Sequence, residues 1–380
     1  LLAVRAARAG TEADPGDPIA WLALGRAYGA LGERTWERET GAGLTPLEHV
    51  RLAQVVTAFA QSVLLNPGSA PARESLALVL IRRNMLDTAR PHAAEALRLT
   101  RRAGPLAGQE AGEHGERVEK LGALVGSLDA ALFDAENRYL IRTAGLAGDP
   151  LARARVALEL GLAQRALDVL LHSHPDLYGG AGLGVLADVL LQSGQAAECR
   201  VLLDRAEIRR NPDVLGVYTL PGAPGAARGY QFPTFDWLDL CQCAAVGRYA
   251  GAADAIDRIC ARLDAEEHVR APAVVTSGAV LAALEIGMAA PPVPVPARVP
   301  RARDRARATE LFVQNRALTA VRADLMTVAG VLHLERGAPG AAAARFADAT
   351  ELYEQTKPYA LAAPGGPLAA RYHDAIRRPR

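Results

Sequence analysis

The chain has 380 residues, half of them hydrophobic but only 5% aromatic, and a net charge of +1. That balance excludes the dense basic field on which nucleic-acid and anionic-membrane binding rest. An apolar mass made chiefly of Ala and Leu suits helix–helix packing and offers little to a sheet, and no run of 18 apolar residues marks a membrane span.

In chain order, Leu1 to Ala9 reads as the tail of a helix, so a segment of a longer protein is expected. Pro18 to Gly32 follows as a helix carrying Trp21, Leu24, Gly25 and Tyr28 in the order W-x2-L-G-x2-Y. This resembles the tetratricopeptide repeat family, of the bacterial scaffold type, whose unit is a 34-residue helix–turn–helix. The partner helix is delayed. Glu33 to Leu44 is polar, and Thr45-Pro46-Leu47-Glu48 then combines an N-cap, a first-turn Pro and a capping-box acid. Val50 to Leu65 supplies the second helix, with Phe59 in the family's Phe position and an insertion of roughly 18 residues against the standard unit.

Ala70 to Ala103 returns to standard length, with Leu76, Ala77 and Leu80 on the first helix and Ala89, Ala93, Ala96 and Leu97 on the second. Asn84 stands at the bend, where Asn tolerates the left-handed conformation. Gly104 to His114 reads as a loop, and Glu116 to Arg142 as one long helix bracing the stack. The clearest internal repeat comes next: Ala154, Ala157, Gly161, Ala166 and Leu170 are followed 33 residues later by Ala187, Leu190, Gly194, Cys199 and Leu203. A period in the low thirties means stacked units that cannot bury their faces alone.

Asn211 to Pro233, dense in Pro and Gly, is expected to be a long loop. Helical pattern resumes at Thr234, bends at Gly247 and continues through Ala252, Ile256, Ile259 and Leu263. Val274 to Met288 reads as a further apolar helix, Pro291 to Pro300 as an extended linker and Arg301 to Ala320 as a basic helix. Asp324 to Tyr353 matches the repeat again through Gly330, Gly337, Ala342, Phe346 and Ala349, and Leu368 to Ile376 would cap the end.

The resemblance implies an all-α fold: a right-handed α-solenoid of antiparallel helix pairs, roughly five to six of them, with the long bracing helix. The expected divisions are an N-terminal block over 1–112 with its insertion at 33–46, the long helix over 113–143, two adjacent units over 144–213 and the loop over 214–233. Irregular pairs over 234–290, the linker over 291–300, a terminal unit over 301–357 and a capping tail over 358–380 complete them.

No residue pattern calls for catalysis. His172, His174 and Asp176 sit at a helix exit, where alternate residues point apart. Gly179 to Gly184 reads as an inter-repeat turn, since neither a preceding strand nor a following Gly-Lys-Ser/Thr makes it a phosphate loop. Cys241-Gln242-Cys243 lacks redox spacing, and neither Gly-x-Ser-x-Gly nor His-Glu-x-x-His occurs. No catalytic residue, cofactor or metal is therefore expected. The four cysteines, Cys199, Cys241, Cys243 and Cys260, suit buried thiols in a reducing compartment, so a cytoplasmic location is expected.

In stacks of this family the first helix of each pair lines a concave face. First-helix positions outside the apolar stripe give Arg26, Glu74, Arg82, Arg155, Glu159, Asp188 and Gln192 as groove candidates, their Arg forks suited to a peptide carboxylate or an acidic segment. Tyr218, Tyr230, Phe232 and Trp237 are candidates for an aromatic lid or anchor over that groove. A non-enzymatic scaffold binding a protein or peptide segment is the expected function, with neither nucleic acid nor membrane insertion. The alternative is a regulatory or substrate-docking module of a larger enzyme.

Overall fold

The computed structural model describes residues 1–34, 46–105, 111–173, 179–204, 217–219, 231–263, 319 and 321–356. Among these the fold is all-helical apart from one short ribbon. The elements are α1 (Leu2–Ala13), α2 (Pro18–Arg34), α3 (Pro46–Leu65), α4 (Ala70–Arg82), α5 (Leu86–Ala103), α6 (Ala111–Thr143), α7 (Pro150–Glu159), α8 (Ala163–Leu171), α9 (Gly179–Gln192) and α10 (Ala196–Asp204). Strands β1 (Val217–Thr219) and β2 (Gln231–Pro233) follow, then α11 (Thr234–Ala245), α12 (249–263), α13 (321–336) and α14 (Pro339–Thr356). The features expected over 274–288, 291–300 and 358–380, and over 301–320 apart from Thr319, lie outside the described residues.

Helix starts are written locally. Asp17 accepts from the Ile19 N–H at 2.8 Å, Asp149 from the Ala152 N–H at 2.9 Å and Ser69 from the Ala72 N–H at 3.3 Å. Each precedes a first-turn Pro whose missing N–H costs nothing there.

Five bends end their helices alike. Asn84, Gly161, Gly194, Gly247 and Gly337 have φ of 55°, 83°, 88°, 79° and 85°. The following residue donates to the carbonyl five positions back in every case: Met85 to Leu80, Leu162 to Ala157, Gln195 to Leu190, Arg248 to Cys243 and Ala338 to His333, all at 2.7–2.9 Å. These are Schellman closures, which need a residue that tolerates positive φ. Five residues past each bend stand Ala89, Ala166, Cys199, Ala252 and Ala342, all 0% exposed, small enough for the returning helix to approach.

Three differences from the sequence reading concern local structure. β1 and β2 pair antiparallel, Tyr218 opposite Phe232, inside the stretch expected to be loop. Three-residue strands are too short to print an alternating pattern. α9 begins at Gly179, so the glycines read as a turn form its first turns, with Gly182 and Gly184 buried. α6 likewise starts early, at Ala111, with Glu113 in its first turn.

α3 makes contacts beyond those of neighbouring pairs. In a stack each unit touches only its neighbours, whereas α3 packs against α2, α4, α9 and α11. Fifteen of its twenty residues are buried. Polar bonds extend its reach to α13: Arg51 pairs with Glu335, and Gln54 Nε2 donates to Glu335 Oε2 at 2.8 Å. Arg5 Nε of α1 donates to the Leu334 carbonyl at 2.8 Å, so the first and last helix pairs meet beside α3.

α6 braces the other side with four ion pairs: Arg117 to Glu74 of α4, Asp129 to Arg90 of α5, Arg142 to Glu159 of α7 and Glu136 to Arg165 of α8. Among the described residues no helix is long and apolar enough to cross a membrane.

Candidate functional site

Where α2, α3 and α4 diverge they leave a cleft of about 280 Å³. Gly25 sets its depth. The Phe59 ring packs flat on it, so that a Cβ there would lie 2.5 Å from the ring. One turn on, Gly29 has nothing within 4 Å of where a Cβ would be, so the α2 wall stays low just where the cleft opens.

Leu52, Val55 and Phe59 of α3 and Leu78 and Val79 of α4 form an apolar floor, with Leu78 46% exposed to solvent. Arg26, Glu33, Glu48, Ser75 and Arg82 rim it. Arg82 Nη1 donates to Glu33 Oε1 at 3.3 Å, both side chains more than half exposed. Such a pair is worth about 0–1 kcal/mol and yields readily to a competing carboxylate. Arg26 makes no ion pair among the described residues.

Of the seven groove candidates, two share this cleft: Arg26 and Arg82. Glu74 turns away to Arg117 at 2.6 Å and Glu159 to Arg142 at 2.6 Å, both on the bracing helix. Arg155 is exposed on α7, while Asp188 and Gln192 bond one another at 2.5 Å on α9. They sit on α2, α4, α7 and α9, and which of these helices share an opening depends on how the pairs meet around α3.

The aromatic candidates separate as well. Trp237 is 0% exposed, its ring centroid 5.5 Å from that of His49, so it anchors α11 to α3 in the core and lines no surface. Tyr218 and Phe232 are described only in their backbone pairing, and Tyr230 lies outside the described residues. The sequence reading missed Glu33, Glu48, Ser75 and Leu78. The available signal was the Gly25-x3-Gly29 spacing, which bares one face of α2.

Three of the four cysteines are buried. Burial pushes the Cys199 thiol up to about 12 and raises Cys241 and Cys243 too, which leaves them unreactive. His172 is exposed, its Nδ1 2.8 Å from the Asp168 carbonyl, while His174 and Asp176 lie outside the described residues. No family model matches the chain, and no curated protein does.

Proposed function

We propose that the chain is a non-enzymatic interaction scaffold of tetratricopeptide-like pairs that takes a peptide or protein segment in the cleft between α2, α3 and α4. The pairs are read as units of a right-handed superhelix whose inner side is partly filled by α3, which leaves the cleft as the accessible site. Two contacts support the family reading. Gly25 lies under Phe59, and Gly330 lies under Phe346 at the same 2.5 Å, at the two ends of the chain.

The observation that carries the function is the combination of Arg26, without an ion-pair partner among the described residues, and a weakly held Arg82 above an apolar floor. Two guanidinium forks beside exposed Leu78 suit a carboxylate next to an aliphatic or aromatic side chain. A net charge of +1 favours a protein over a nucleic acid, and four cysteines present as thiols favour a reducing, cytoplasmic setting.

Panning the whole chain against a random peptide library tests this. Enriched peptides are expected to carry an acid beside a large apolar residue. Their affinity by fluorescence polarisation is expected to fall about tenfold in Arg26→Glu, Arg82→Glu and Leu78→Asp, as loss of one charged or buried contact implies. Tm should not move, since all three side chains face solvent. Peptides that bind these variants as they bind the parent chain would sink the assignment.

A further inference from the structure

α6 carries apolar side chains on two opposite faces and buries only one. Leu121, Leu128, Ala135 and Tyr139 face the other helices and are 3–5% exposed. Centred about 165° round the helix and spread over about 100° run Ala130, Phe133, Leu140 and Ile141, all exposed: Phe133 is 74%, Leu140 65% and Ile141 78% open to solvent. Asn137, also exposed, stands in the middle of this second face as its one polar member. The other exposed large apolar residues, such as Ile19, Leu64 and Val201, stand singly on separate helices, as is ordinary for a surface. Among the described residues, only on α6 do they form a stripe.

We propose that this stripe is a self-association surface and that α6 packs antiparallel on α6 of a second copy, about a two-fold axis at Asn137. The stripe is symmetric about that residue. Phe133 and Ile141 stand four residues before and after Asn137, each about 40° off its direction. The two-fold operation sets Phe133 level with Ile141 of the copy at both ends of the contact, and brings Leu140 beside the copy's Phe133 along one edge. An isologous interface requires this self-complementarity.

Asn137 fits the axis for a chemical reason. Its amide carries a donor and an acceptor, so two copies facing each other can each donate Nδ2–H to the other's Oδ1. A single Asn within an apolar seam fixes register, because any slip leaves its amide against hydrocarbon.

Charge supports the same arrangement. Asp134 and Arg138 pair with one another along the other edge of the stripe, with side chains 56% and 62% exposed. The axis brings Asp134 of each copy within about one turn of Arg138 of the other, so the closest charges across the contact are opposite in sign. One helix face of this length falls short of the roughly 800 Å² per partner of a standard interface, so the dimer is expected to be weak and reversible.

Sedimentation of the whole chain over a dilution series is expected to show a monomer–dimer equilibrium. Phe133→Asp and Ile141→Asp, at positions already open in the monomer, are expected to remove the dimer while leaving the far-UV circular dichroism and Tm in place. Asp134→Arg alone and Arg138→Asp alone should weaken it about tenfold, and the double exchange should restore it. Asn137→Cys should link to its own symmetry mate on mild oxidation where the parent chain does not, because helices 8–10 Å apart bring the two Cα atoms within about 5.5 Å, inside disulfide range.

A chain that remains monomeric throughout overturns the proposal. So does a dimer indifferent to Phe133→Asp and Ile141→Asp, or one that does not cross-link through position 137.

Discussion

His49 and His92 are held neutral by their surroundings. Burial against Trp237 and the core, with the Arg83 charge as a smaller contribution, keeps His49 well below the ordinary imidazole value. Burial first, then Arg73, lowers His92 to about 4. A histidine whose pKa is depressed on folding binds more protons unfolded than folded once pH drops below about 6.5. Stability is therefore fully present above that pH and is lost as pH falls toward 4, by at most about 1.4 kcal/mol per unit for each ring. Tm measured from pH 7 to pH 5, above the range where carboxylates titrate, is expected to fall. His92→Gln should flatten part of that slope; an unchanged slope in this variant would show that His92 does not contribute.

The helix pairs repeat one contact at two spacings. Gly25 and Phe59 are 34 residues apart and Gly330 and Phe346 are 16 apart, yet the ring lies on the glycine in both. The difference equals the insertion read from the sequence, so residues can enter between the helices without disturbing how they pack. Gly25→Ala and Gly330→Ala are each expected to destabilise by about 1–3 kcal/mol through overpacking, measured by urea denaturation. Shortening the facing ring, as Phe59→Leu and Phe346→Leu, should recover much of the loss in the respective double variants. An additive second loss would mean that the methyl group meets something other than the ring.

These pairs were legible because each is a local matter: a small residue, a bend that accepts positive φ, another small residue five positions on. The role of α3 was legible only in part. Val50, Leu52, Val55, Val56, Phe59 and Val63 make it apolar on every side, which already signals a helix enclosed by others. Arg51 and Gln54 obscured that signal, since their buried partner Glu335 lies more than 280 residues away. Long-range polar partners leave no periodicity. The same limit scattered the groove candidates, because which first helices share an opening depends on how pairs meet, not on how each is written.

Closure of the whole chain depends on those polar partners. Glu335, with its side chain 0% exposed, pairs with Arg51, accepts from Gln54 at 2.8 Å and from the Tyr249 hydroxyl at 3.4 Å. Arg51 also lies 5.2 Å above the Tyr28 ring, and Arg8 donates to the Tyr28 hydroxyl at 2.6 Å, so α1, α2, α3, α12 and α13 meet in one network. Glu335→Ala leaves the Arg51 charge buried without its carboxylate, a change that costs about 3–5 kcal/mol in comparable interiors. Replacing both ends, as Arg51→Met with Glu335→Leu, removes the stranded charge and should cost much less than Glu335→Ala alone. If the network is what joins the terminal pairs, Glu335→Ala should also split a single thermal transition into two, with amides of α13 and α14 exchanging before those of α4 to α8. One cooperative transition at an unchanged Tm would mean that apolar packing around α3 closes the chain without help from the buried charges.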